Sequence, residues 1–279
     1  MDIDFSIIVI DKPKDWTSFD VVNFVRKTLH LDKAGHLGTL DPMVTGVLPI
    51  VLGRATKVQE FFMHRDKTYV GEMHLHTKIN KEDLEKEMKG FVGKIKQIPP
   101  RKSAVKRQER EREVYEFKLL SLEKKTAKFS AKVEAGTYIR KLIHDLGLKI
   151  GGAHMTSLKR TQAGVFTEKD MYSMDDFKKA MDDYRNGKEE ALSKMLIPAA
   201  PIIEKMMPCI KIDRQYIKEL RNGSPIFKRM LKTIPKEDVF CVFVGKELVE
   251  IAKKTKQFKN PDIIAKPEVV FPQPFRKRF

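Results

Sequence analysis

The stretch Gly35-His36-Leu37-Gly38-Thr39-Leu40-Asp41-Pro42-Met43-Val44-Thr45-Gly46-Val47-Leu48-Pro49 sets one carboxylate among glycines, a histidine and prolines. It lies in a chain of 279 residues whose formal net charge is +17. A polycation that only grips phosphates gains nothing from an acid in a glycine-lined loop. One that also attacks the molecule it holds does. Gly35 and Gly38 allow close approach of a ligand backbone and positive φ angles. From spacing alone Asp41-Pro42 is a turn, and Asp41 as turn former is the simpler reading.

Upstream of this loop, the apolar run Phe5 to Ile10 is flanked by Asp2, Asp4 and Asp11, which fits a first β-strand rather than a signal peptide. Ser18 reads as an N-cap, and Val21, Val22, Phe24, Val25 and Leu29 predict an amphipathic helix over about residues 18–30. Downstream, Val44 to Leu52 is apolar. Lys67 to Leu75 alternates as a strand with Tyr69, Gly71, Met73 and Leu75 on one face. Asp83 to Lys89 predicts a short helix ended by Gly90, and Ile98 to Glu113 a basic loop. Strands follow at Val114 to Leu122 and Thr126 to Glu134, then a helix from Tyr138 to Ile150 and acid-rich helical sequence over about 173–196. Pro198, Pro201 and Pro208 mark a domain boundary. Beyond it lie short strands at Val239 to Val244, Leu248 to Ala252 and around Val269 to Phe271. The elements do not alternate as βαβ, so the expected class is α+β with a mixed or antiparallel sheet over residues 1–204 and a small β-rich domain over 205–279.

Composition narrows the function. Lys and Arg outnumber Asp and Glu by 55 to 38, which points to a polyanionic partner such as RNA. No apolar run approaches the ~20 residues that span a bilayer. Cys209 and Cys241 form no CxxC pair and read as buried thiols of a reducing compartment. His74 and His76 share a strand face, but no third ligand stands within a few residues of them, so a half-exposed strand is expected and no metal site. Three residues remain. A guanidinium such as Arg140 beside Asp41 would hold the carboxylate ionised, making Asp41 a candidate nucleophile or general base. Tyr69, on its strand, is placed to stack on an extruded base.

Four segments in order, GHLGTLDPMVTGVLP, GRATK (53–57), KTYVGEMHLH (67–76) and GTYIRKLIHDLG (136–147), resemble the motif series of the TruB and dyskerin family of RNA pseudouridine synthases. The match runs from Asp11-Lys12-Pro13 through Leu158-Lys159-Arg160-Thr161. The resemblance implies a pseudouridine synthase catalytic domain with Asp41 as the catalytic aspartate. It implies Tyr69 packed on the target base and aiding proton removal, and Arg140 paired with the aspartate. His36 would sit beside the flipped nucleotide and Leu158 would line its pocket, with Lys12, Arg54, Lys106 and Arg107 as basic RNA contacts. An isomerisation needs neither cofactor nor metal.

Ile98 to Arg107, continuing through Arg110, Arg112 and Val114-Tyr115, resembles the archaeal and eukaryotic dyskerin branch. That branch implies an H/ACA ribonucleoprotein in which a guide RNA selects uridines of rRNA, and of tRNA in some cases. Its small proteins are a zinc-ribbon-like protein, a small β-barrel protein and a kink-turn binder. The C-terminal module would be a PUA domain gripping the guide. Three departures stand out: Leu37 where the family has a small residue, an N-terminus that begins almost at the first strand, and a short C-terminal module. The absence of Lys-rich tails suggests an archaeal cytoplasm. Two alternatives stay open, a stand-alone synthase acting on the tRNA T-arm and an inactive RNA-binding scaffold.

Overall fold

The computed structural model describes residues 2–98, 107–255 and 260–271. Its first unit, Ile7–Leu196, is organised by one large mixed sheet. Strand β1 (Ser6–Lys12) runs antiparallel to β3 (Thr45–Leu52), which also carries the short β2 (Ala34–His36). Strand β4 (Lys67–Leu75) lies antiparallel between β7 (Thr126–Val133) and β8 (Ala153–Ala163). Beyond β7 come β6 (Arg110–Glu123) and β5 (Gly93–Gln97), and β9 (Phe166–Thr167) pairs with β8. From β1 the order is therefore β1-β3-β8-β4-β7-β6-β5, and only β3–β8 in that order is parallel. This is the mixed sheet the sequence predicts.

Alternation sets the core face. Ala127, Phe129, Ala131 and Val133 of β7 are all buried, as are Tyr69, Met73 and Leu75 of β4. Two helices cover this face. Helix α3 (Lys81–Lys89), capped by Asn80, inserts Leu84 and Met88, while α4 (Ile139–Lys149) inserts Leu142, Ile143 and Leu146. Phe117 meets Phe129 edge-on at 5.8 Å. Burying such a side chain contributes roughly 1.5–3 kcal/mol.

Three local expectations change. Helix α1 (Ser18–Thr28) is capped by Thr17, not Ser18: the Thr17 hydroxyl accepts from the Asp20 amide while the Asp20 carboxylate accepts from the Thr17 amide. The basic loop ends early, because Arg110 to Glu113 already belong to β6. There Glu111 pairs with Lys94 of β5 at 2.8 Å, and Glu109, just before the strand, pairs with Lys96 at 3.1 Å. The acid-rich segment forms two helices, α5 (Met174–Arg185) and α6 (Glu190–Met195), separated by Gly187 at φ +80°.

The chain leaves this unit in the short strand β10 (Leu196–Pro198) and divides between Leu196 and Ile197. Asp2–Ser6 group with the second unit, where the Phe5 and Phe271 rings lie 5.3 Å apart. The proline-punctuated run is helical: α7 (Ala199–Met206) tolerates Pro201 because its first turn has no acceptor waiting for that amide. Then follow β11 (Cys209–Lys211), α8 (Ile217–Arg221), β12 (Ile226–Phe227), β13 (Val239–Val244), β14 (Glu247–Lys254) and β15 (Ile263–Val270). They build a five-stranded sheet in the order β11-β13-β14-β15-β12 over a core of Leu220, Ile226, Phe240, Val242 and Val249. Cys209 and Cys241 are register partners on parallel strands, both free. Cys241 is buried, and that burial pushes its thiol up; Cys209 is only half-buried. No helix among the described residues is long and apolar enough to cross a membrane.

Candidate active site

The loop from Leu37 to Val44 joins β2 to β3, and side chains from three other segments hold its main chain, while a fourth holds His36 just before it. The Ser18 hydroxyl accepts from the Leu40 amide at 2.8 Å and donates to the Leu40 carbonyl at 3.1 Å. Lys12 Nζ donates to Pro42 O at 3.0 Å, and also to Pro13 O and Trp16 O. Arg160 on β8 donates from Nη2 to Gly38 O at 3.0 Å and from Nε to Val47 O at 2.8 Å. Gln59 Nε2 donates to His36 O at 3.0 Å. Two glycines make this packing feasible. Gly38 sits at φ +129°, and Gly46, at φ +103°, faces β8 so closely that a Cβ there would lie 2.2 Å from Arg160 O.

Beneath the loop, three cations are buried. Lys12 has no exposed surface, Arg160 keeps 1% and Lys67 5%. Lys67 Nζ donates to Met63 O and Arg65 O, both at 2.6 Å. Burial, reinforced by the charge of Arg160, pushes the Lys67 amine down to about 8. Burial also lowers Lys12, though Asp15 and Asp41 pull the other way. His36 is lowered by burial first and by Arg160 second. Its Nδ1 accepts from the Gly38 amide at 3.4 Å, so at neutral pH the ring is uncharged with its proton on Nε2.

On the outer side of the loop the Asp41 carboxylate meets Arg140, whose Nη2 donates to Oδ2 at 2.8 Å across 99 positions of sequence. Both side chains are just over half exposed, so the pair contributes at most about 1 kcal/mol to stability. Arg140 is the second residue of α4, where a cation opposes the helix dipole, and the N-cap residue Tyr138 offers no side-chain cap. Its position serves the carboxylate, not the helix. Gln97, almost fully buried, fixes the start of α4 by accepting from the Tyr138 amide and donating to the Tyr138 carbonyl.

Tyr69 is 9% exposed on β4 and is the register partner of Arg160, whose charged form it favours. Leu158, opposite Gly71, lies in the same apolar cluster as Leu40, Val44 and Tyr69. The fold thus joins Asp41 directly to Arg140 and links Tyr69 to the loop through Arg160. Lys12 is a correction: its ammonium is buried and consumed by three carbonyls, so it holds the loop and does not reach RNA. Leu37 is likewise buried at 3% exposed, and its bulk fills the core. Arg54 is half-buried in the short 3₁₀ helix Gly53–Val58 that follows β3. Arg107 is exposed, while Lys106 lies outside the described residues. Arg112, expected in a loop, is half-buried on β6 and pairs with Glu134 at 3.6 Å.

Ser18, Gln59, Lys67, Gln97 and Arg160 act in this site without having been singled out from sequence. Three carried a signal. Ser18 shares the apolar helix face of Val21, Val22 and Val25; Lys67 shares the face of Tyr69, and Arg160 that of Leu158. Gln59 and Gln97 carried none. His154 of β8 joins His74 and His76, with His76 Nε2 2.9 Å from His154 Nδ1. Even so, no group of three or more His, Cys, Asp or Glu among the described residues is arranged to hold a metal ion.

Residues 26–139 match the TruB family pseudouridylate synthase N-terminal domain, and residues 140–204 the tRNA pseudouridylate synthase B C-terminal domain. A probable tRNA pseudouridine synthase B of Korarchaeum cryptofilum is 42% identical over 80% of this chain and 70% of its own length. That of Archaeoglobus fulgidus is 40% identical over 88% and 78%. A chain in the crystal structure of a Cbf5-Nop10-Gar1 complex superposes with a TM-score of 0.86 at 36% identity, covering 97% of this chain and 86% of the other. A chain of an H/ACA ribonucleoprotein bound to a substrate RNA containing 2′-deoxyuridine gives 0.82 at 35% identity, covering 96% and 86%. The α+β class and the enzyme class expected from sequence both stand: this chain belongs to the TruB family of RNA pseudouridine synthases.

Proposed function

We propose that Asp41 is the catalytic carboxylate of this synthase, that Arg140 orients it, and that Tyr69 packs on the target base. The observation that carries this reading is the 2.8 Å contact between Arg140 and Asp41, made on a loop whose main chain is held from below by Lys12, Ser18 and Arg160. An exposed carboxylate held by a fixed guanidinium on a rigid loop is pre-organised to act on a nucleotide drawn out of its stack. The reaction breaks the bond from ribose C1′ to uracil N1 and forms one from C1′ to C5. The C5 proton is released and N1 gains one, so nothing external is consumed. His36, neutral and partly buried, lies beside this nucleotide, and Leu158 closes the apolar side of its pocket. Arg54, Lys106 and Arg107 add phosphate contacts, whose signature is strong salt dependence.

We further infer that the chain works as the catalytic subunit of a guide-RNA particle of the H/ACA type, acting on rRNA and on tRNA, with the small proteins of such particles as partners. The neighbours at TM-scores of 0.86 and 0.82 support this. Residues 205–279 then serve as a PUA-like domain for the guide, a reading supported by their five-stranded sheet. A second reading, a stand-alone tRNA synthase, is favoured by the names of the archaeal relatives. Tritium release from tRNA labelled at uridine C5 decides between them. Release by the chain alone assigns the stand-alone activity, and release only after guide RNA and partner proteins are added assigns the particle. No release under either condition contradicts the synthase role and leaves an RNA-binding scaffold.

A further inference from the structure

Ten large hydrophobic side chains among the described residues are conspicuously exposed, and three of them surround the Asp41 loop: Trp16 at 37%, Phe19 at 71% and Met43 at 47%. The Lys12 ammonium donates to both Trp16 O and Pro42 O, the Asp15 amide donates to Pro42 O at 2.9 Å, and Ser18 holds both polar groups of Leu40. The segment before α1 and the loop around Asp41 are therefore welded into one surface, with Met43 two positions from the carboxylate. Trp16 is the only tryptophan in the chain, and its ring is steadied edge-on by Phe24 at 6.0 Å. Exposing large apolar groups costs solvation free energy, and exposed apolar side chains carried on one hydrogen-bonded main-chain framework beside a reacting group mark a contact surface.

Building on the proposed synthase role, we propose that Trp16, Phe19 and Met43 form a stacking platform for the unpaired nucleotide adjoining the target uridine. Continuity with the Asp41 loop selects RNA as the occupant: whatever strand delivers its uridine to Asp41 must pass over this surface. Lys14, exposed beside Trp16, supplies a positive charge suited to a phosphate. Such a surface reads the flat face of any base, so it would hold the strand without adding sequence preference.

The test uses the full-length chain and a tRNA T-arm stem–loop carrying 2-aminopurine on the 5′ or the 3′ side of the target uridine. Phe19→Ala/Met43→Ala is the informative variant, because both side chains are exposed and their truncation spares the core. Wild-type protein should quench one of the two probes. The double variant should lose that quenching, bind about tenfold more weakly, and leave the slope of log affinity against log salt unchanged; quenching of neither probe by the wild type overturns the platform. Phe19→Tyr should restore binding. Binding within twofold of wild type together with unchanged fluorescence overturns the platform, including where the variant alters self-association and so assigns the patch to a second copy of the chain. Asp41→Asn on the same RNA should still quench, so failure of the catalytic assignment and failure of the platform are separable.

Discussion

Arg160 and Glu250 are both ionisable side chains in mid-strand, at 1% and 0% exposure, and they are buried on opposite terms. The guanidinium of Arg160 donates to two carbonyls, and Tyr69 beside it favours its charge. A planar fork of donors that does not lose its proton can be buried this way and keep its charge. Glu250, on β14 in the second unit, has no hydrogen-bond partner among the described residues on either carboxylate oxygen. Burial alone pushes its carboxyl up to about 8. One buried ionisable group keeps its charge and builds a site; the other keeps its proton and makes its module sensitive to pH. Partners, not burial itself, decide which.

The largest effect expected from breaking this contrast is at Arg160. Arg160→Met strands the Gly38 and Val47 carbonyls, at about 1–3 kcal/mol for each buried group left unpaired. Turnover should collapse with the loop geometry, and Arg160→Lys should recover only part of both. Wild-type unfolding and wild-type turnover in Arg160→Met would erase the distinction. Glu250 gives the next effect, and its sign is fixed. The folded state holds a proton at pH values where the unfolded chain, with the ordinary value of 4.5, has released it. The resulting stabilisation is complete below about pH 4.5 and is lost as pH rises through about 8, at about 1.4 kcal/mol per pH unit within that window. Melting temperature followed from pH 5 to 8 should therefore fall for the wild type and stay nearly level for Glu250→Gln. Lys67 has the opposite sign: folded at about 8 against 10.5, it makes stability rise again between those values. An absence of pH dependence in the wild type would show that Glu250 has donors after all.

Smaller changes sharpen the comparison within the catalytic unit. Ser18→Ala removes both bonds to Leu40, and chemical denaturation should report a loss of about 1–3 kcal/mol. Arg140→Lys should move stability by less than about 0.5 kcal/mol, because an exposed pair contributes little. Its turnover should nevertheless fall, since lysine cannot reproduce a planar, directed contact. Equal turnover in that variant would make the pair an ordinary surface salt bridge.

Much of the fold was legible because strands and helices advertise their buried faces. Ala127, Phe129, Ala131 and Val133 alternate as written, and Ile139, Leu142, Ile143 and Leu146 recur at helical spacing. The pairing of Asp41 with Arg140 was legible only through the family resemblance, since nothing local connects positions 99 residues apart. The supports of the loop were hidden for different reasons. Lys12 and Arg54 look alike as basic residues in family motifs, yet three carbonyls converge on Lys12 and bury it, a consequence of tertiary packing that no window of sequence shows. Ser18 was mistaken for a cap because Thr17 and Ser18 are both capping residues; the Asp20 box decides between them. Pro201 read as part of a domain boundary, yet it lies within a helix, because a proline in a first helical turn costs the helix nothing. His154 reaches His74 and His76 only through the β4–β8 register.

The central claim is that Asp41, held by Arg140, performs the chemistry. Tritium release from C5-labelled RNA, under whichever condition activates the wild type, should be compared with Asp41→Asn at matched RNA occupancy. Binding retained with release abolished is the predicted result. Wild-type release from Asp41→Asn would contradict the assignment.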